Sequence, residues 1–170
     1  MSIAKDHQDL LNLAAAYRAK LSAYPQELFQ QAPPIGGWSY AEVYFHIFDA
    51  SLLVLQTIRD CIQGKAERKP TAFLVKLILF FGSLPPGKKY KAPKRLADRL
   101  RKIDKEEALQ MIAQFLQQLE KDYPEMAKAD PALKTPHPRM GYLNATQWLR
   151  FAKIHLAHHL KQLHRIEKSF

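Results

Sequence analysis

The 170 residues (19.6 kDa) amount to one ordinary domain, read here as a single unit over residues 1–170. A composition of 47% hydrophobic and 25% charged residues excludes a disordered or collagenous chain, and the lone cysteine, Cys61, excludes a disulfide scaffold and a cysteine zinc site. The 26 Lys+Arg against 16 Asp+Glu give a net charge of +10, which admits nucleic acid, an anionic membrane or an acidic substrate as partner without choosing among them.

The opening residues, Met1–Lys20, are polar and charged throughout and do not read as a signal peptide. From Ile3 to Tyr24, Leu10, Leu13, Ala14 and Tyr17 recur at helical spacing. Pro25 breaks the pattern, and QAPPIGGW (31–38) reads as a loop. Ser39 with Glu42 forms a capping-box signature, with Trp38 before it placed to staple onto Val43; the helix so opened runs to Gln63 and stops at Gly64.

The apolar run from Ala72 to Phe81, broken by Lys76, reads as a short helix serving as a buried lid or a dimer surface. It is too short to span a membrane, which takes about 20 apolar residues. Three prolines and a glycine in PPGKKYKAPKR (85–95) mark a basic loop. Asp104 with Glu107 repeats the capping pattern and opens a helix expected to end at Tyr123, before Pro124. A second Pro/Gly loop (128–142) precedes Asn144 with Gln147, the cap of the last helix, which runs nearly to the chain's end.

No alternating strand and no glycine-rich phosphate loop is visible. The expectation is an all-α fold: a four-helix bundle with one extra short helix and long loops.

Histidines concentrate the chemistry. On the last helix Trp148, Ala152, Leu156, Leu163 and Ile166 define an apolar stripe. At about 100° per residue His159 falls inside it and His155 on its edge, while His158 turns away towards Ile154, Lys161 and Arg165. Two imidazoles four residues apart can meet one metal ion, and His46, the only histidine on the second long helix, is the candidate third ligand. Three neutral imidazoles suit zinc, nickel or ferrous iron with positions left open. Against this stands the plainer reading of packed core histidines, and a rival pairing of His155 with His158. HxxxH here lacks the glutamate of a metalloprotease, since residue 156 is Leu.

Two segments, WSYAEVYFHIFDASLLV (38–54) and HPRMGYLNATQWLRFAKIHLAHHLKQLHRI (137–166), resemble the DinB/YfiT-like superfamily of bacterial four-helix proteins. The His-Pro-x-x-Gly-x-Leu stretch and the terminal HLAHHLKQ are the most distinctive parts. The resemblance implies an up-down-down-up bundle whose metal is held by His46, His155 and His159. It also implies activities such as thiol-dependent S-transfer, isomerisation or metal-dependent hydrolysis, with a low-molecular-weight thiol as cofactor, a small-molecule substrate and a homodimer.

Asp49, one turn after His46, is a candidate to orient a ligand histidine. The basic residues Lys88, Lys89, Lys91, Lys94, Arg95, Arg99, Arg101 and Lys102 read as a solvated loop and helix start, or as a collar attracting an anion, with Arg139 as a second candidate for that role. His137 reads as a turn residue, Trp38 and Trp148 as core anchors, and Cys61 as packed. A cytoplasmic, soluble metal-dependent enzyme is expected, with neither membrane nor nucleic acid as partner. The alternative is a non-enzymatic basic helical module binding nucleic acid or an acidic partner.

Overall fold

Two reciprocal capping boxes open the two helices that carry the histidines. In the computed structural model, which describes residues 2–84 and 98–170, Ser39 accepts from the Glu42 amide while the Glu42 carboxylate takes the Ser39 amide. Asn144 and Gln147 do the same. Each box satisfies amides that a helix start leaves unpaired, so these starts are locally encoded. Asp104 also caps, accepting from the Glu107 amide, but the Glu107 carboxylate turns to Arg101 instead of closing the box.

The described helices are α1 (Ile3–Ala23), α2 (Gln26–Phe29), α3 (Tyr40–Ile62), α4 (Phe73–Phe81), α5 (Lys105–Met126) and α6 (Ala145–Glu167). Side-chain pairs fix their directions. Asp6 meets Arg150 and Lys20 meets Glu167, so α1 and α6 run parallel. His7 meets Glu120 and Lys105 reaches the Tyr24 carbonyl, so α5 runs against α1. Phe48 packs on Phe115 and Arg59 faces Asp122, so α3 runs with α5. The long helices therefore go up, down, down and up, a four-helix bundle of the expected kind.

Its core is filled by Leu10, Tyr17, Tyr44, Phe48, Ile58, Phe115 and Leu156 among others, all fully buried. Burying a tyrosine hydroxyl without a partner would be costly. Here the Tyr44 hydroxyl donates to the Tyr17 carbonyl and the Tyr17 hydroxyl to the Leu156 carbonyl, each at 2.8 Å. Those two bonds tie α3 to α1 and α1 to the turn of α6 between His155 and His159.

Three expectations are corrected. First, α5 does not stop before Pro124 but carries it inside and ends at Met126. A proline in the last turn forfeits one bond, to the Glu120 carbonyl, and the fully buried Met126 offsets it. Second, the chain does contain strands: β1 (Glu67–Arg68), β2 (Leu133–His137) and β3 (Gly141–Leu143) form an antiparallel sheet in that order. The β2–β3 register sets His137 opposite Gly141, where a positive φ of 70° suits glycine at the end of the turn. Third, α4 is not a buried lid. Val75 and Leu79 pack inward, but Phe73, Leu74, Phe80 and Phe81 are between 65% and 75% exposed.

Among the described residues no helix is long and apolar enough to cross a membrane.

Phe115→Ala should destabilise the protein by roughly 3–5 kcal/mol, because it empties the centre of the bundle. Phe80→Ser should change stability by less than about 0.5 kcal/mol. Urea unfolding of the two variants checks the contrast.

Candidate metal centre

α3 and α6 pack antiparallel, and their seam holds the histidines. His46 and His159 are 6% and 7% exposed; His155 is half-buried. One ring nitrogen from each of these three lies within 4.8 Å of the others. His155 and His159 bring their Nε2 atoms to 3.1 Å. Two nitrogens bound to one tetrahedral ion at about 2.0–2.1 Å stand roughly 3.3 Å apart, so the pair is already near the spacing of a coordination edge. The chemistry of the donor set fits a borderline transition metal: three nitrogens and no carboxylate.

All three imidazoles are held neutral. Burial pushes His46 down to about 4 and His159 to about 3, with neighbouring imidazoles adding to the effect on His159, and it takes His155 well below the usual histidine range. Neutral nitrogen lone pairs are what a metal requires. The Gln162 carbonyl oxygen lies 2.8 Å from His159 Nδ1, which places the proton on Nδ1 and leaves the Nε2 lone pair facing His155.

His158, between the two in sequence, sits half-buried on the flank with its ring edge-on to His159 at 5.2 Å, and it is not in the converging group. Its companions there are Lys161 and Arg165, whose charges add to burial in lowering its pKa. Ile154, expected on that same flank, is instead buried.

The surroundings differ from expectation in several places. Trp38 packs against the core only in part: it is half-buried, 4.9 Å from the His46 ring and parallel to His159 at 6.3 Å, a cover over the cluster. Trp148 is buried as expected and donates its indole N–H to Thr135 Oγ1 at 2.8 Å. Asp49 orients no histidine, because Arg99 takes its carboxylate at 2.6 Å. Gln162 fills that role, and its position three residues after His159 was the available signal. His137 does hold its turn, Nδ1 accepting from the Arg139 and Met140 amides at 3.0 Å each. It also lies 4.6 Å from Phe151, which stacks on His155 at 5.4 Å.

Cys61 is buried beside Thr135, and burial pushes its thiol up, away from nucleophilic use. Lys88, Lys89, Lys91, Lys94 and Arg95 lie outside the described residues. Arg99 is paired with Asp49, Arg101 is paired with Glu107 and lies over the Phe45 ring, and Lys102 is exposed.

The family model of the DinB superfamily matches residues 10–163. The chain belongs to the DinB superfamily. Among solved structures it is similar to TT2238, described as a four-helix bundle protein, with 23% identity, a TM-score of 0.61, and coverage of 96% of this chain and 99% of that one. At that identity the likeness is one of fold. No curated protein matches significantly. The DinB bundle and the histidine cluster in its α3–α6 seam thus rest on separate observations.

The depressed histidines have a measurable consequence. Unfolded histidines titrate near pH 6.5, above their folded values, so the unfolded chain binds more protons as pH falls. The stability of the metal-free protein is therefore complete above about pH 6.5 and declines as pH falls towards about 4; His46 alone accounts for on the order of 3 kcal/mol across that window. Thermal unfolding in chelator at pH 7 and pH 5 should show the loss, and His46→Gln should reduce it.

Proposed function

We propose that His46, His155 and His159 bind one divalent transition-metal ion, zinc, nickel or iron, and that the protein is a metal-dependent enzyme acting on a small molecule. The observation that carries this reading is the convergence of three neutral imidazole nitrogens within 4.8 Å in a buried seam. Here two of them face one another through Nε2, and the third stands 4.9 Å and 5.4 Å from their rings.

A metal bound there supplies Lewis acidity, lowering the pKa of a bound water or thiol so that hydroxide or thiolate is available near neutral pH. This suits hydrolysis or thiol-dependent transfer with a low-molecular-weight thiol as co-substrate, the activities that DinB-like resemblance suggests. The chain's own residues prepare the site. Gln162 holds the proton of His159 on Nδ1. In the metal-free pair His155 must then carry its proton on Nε2, donating to His159, and loading requires that proton to move to Nδ1. Trp38 and Phe151 wall the cluster with aromatic surface and limit the access of water.

Protein purified without a histidine tag should contain, or take up on reconstitution, close to one equivalent of metal. Alanine in place of His46, His155 or His159 should each weaken binding by an order of magnitude or more, and His158→Ala by far less. Gln162→Leu should fall between, because it frees a ligand's orientation without removing a bond. Less than about a tenth of an equivalent after reconstitution contradicts the reading, as does a His158→Ala variant that loses metal while His159→Ala keeps it.

A further inference from the structure

The short helix α4 is fastened to the bundle along one side and turns apolar side chains outward along the other. Just before its start the Thr71 hydroxyl donates to the Tyr142 carbonyl at 2.8 Å. Near its end Arg150 Nε donates to the Leu79 carbonyl at 3.0 Å, and the same guanidinium pairs with the buried Asp6 carboxylate at 2.6 Å. Val75 and Leu79 pack beneath, and Gly82 closes the helix with a positive φ of 68°. These contacts fix which residues face out. At about 100° per residue, Phe80, Phe73, Leu77, Phe81 and Leu74 follow one another around an arc of about 120°, with exposed Lys76 on its edge. Leu77 is half-buried, and the other four apolar side chains are those left largely exposed.

Single exposed hydrophobic residues are ordinary, but four large ones on one rigid face offer roughly 500 Å² of contiguous apolar surface, the mark of a contact site. Charge decides what fits it. Between Glu67 and Asp98 the sequence holds eight Lys or Arg and no Asp or Glu, so the stretch containing α4 carries most of the surplus of +10. A second copy of the chain would cover the rings but set two such cationic stretches against each other, and the patch falls short of the roughly 800 Å² per partner that a stable dimer uses. Nucleic acid would answer the cations and leave the Phe and Leu side chains in water. An anionic bilayer answers both. Apolar side chains enter the boundary below the headgroups while lysines stay level with the phosphates. A helix lying flat keeps its backbone bonds internal, so no spanning segment is needed.

We propose that α4 docks the protein on an anionic membrane surface, Phe73, Leu74, Phe80 and Phe81 entering the bilayer boundary and Lys76 meeting the lipid phosphates. The contact is peripheral. It is independent of the histidine cluster, which lies in the α3–α6 seam.

The probe is a sucrose-loaded vesicle of phosphatidylcholine with about a third phosphatidylglycerol, sedimented with the intact chain. The protein should pellet with these vesicles at about 0.1 M salt and bind about tenfold more weakly to phosphatidylcholine alone. Raising the salt to about 0.5 M should weaken binding severalfold. Phe80→Ser combined with Phe81→Ser should weaken it by about tenfold or more, and Lys76→Glu by about threefold. Should the double variant fail to fold, Phe81→Cys labelled with an environment-sensitive dye gives the same test, since Cys61 is buried. Its emission should move to shorter wavelength on the anionic vesicles.

No binding to the anionic vesicles overturns the proposal. Binding unchanged in the double variant, or a dye on residue 81 that stays in water, overturns the role of α4. Equal binding to phosphatidylcholine alone overturns the role of charge. A dimer that the double substitution converts to monomer, with no vesicle binding, gives the surface to a second copy instead.

Discussion

An imidazole buried between packed helices stays neutral, and three of them brought together in one seam place lone pairs that can converge on one ion once the His155 proton sits on Nδ1. The α3–α6 packing imposes this condition on His46, His155 and His159, and much of the surrounding structure maintains it. Tyr17 pins the α6 backbone at Leu156, between the two histidines of that helix, and Tyr44 pins α3 to α1 through the Tyr17 carbonyl. Trp38 closes over the rings, and Gln162 settles which nitrogen of His159 is free. Without a metal the arrangement costs stability as pH falls; with one, the same lone pairs become bonds.

Seen from this seam, the rest of the bundle is support. The Asp6–Arg150–Lys153 ion pairs and the Lys20–Glu167 pair lock α1 along the back of α6, so the histidine stripe of α6 turns towards α3. The small sheet carries the His137 turn to the aromatic side of the site, against Trp148 and Phe151. Hairpin, stripe and loop tryptophan come from distant parts of the chain, yet they meet around one group of nitrogens.

What was legible in the sequence is what is encoded locally. Ser39–Glu42 and Asn144–Gln147 each satisfy helix-start amides within four residues, so both starts could be read directly. The rotation of α6 followed from the period of its apolar stripe, which separated His159 from His158 by a helix step of about 100°. His46 stood out as the only histidine on a long, mostly apolar helix. Where a partner outside the helix's own turn decides, the sequence pattern does not show it. Glu107 left its capping box for Arg101, Asp49 was taken by Arg99 fifty residues away, and Ile154 was buried on a face that had looked polar. β1 is illegible because it is two residues long and pairs with a partner more than sixty positions later, and β2 because Pro136 lies within it in a segment that reads as a Pro/Gly loop. Pro124 misled because a proline near a helix end forfeits a single bond, less than the burial of Met126 returns.

The central claim is that one ion is bound by nitrogens from His46, His155 and His159 together. Anomalous diffraction at the metal's absorption edge, on crystals of the loaded protein, tests it most directly. The account predicts a single strong peak in the α3–α6 seam, about 2.0–2.2 Å from one nitrogen of each of the three rings. A peak bound by His158 in place of His159, a peak elsewhere on the protein, or no peak in crystals soaked with zinc at neutral pH would contradict it.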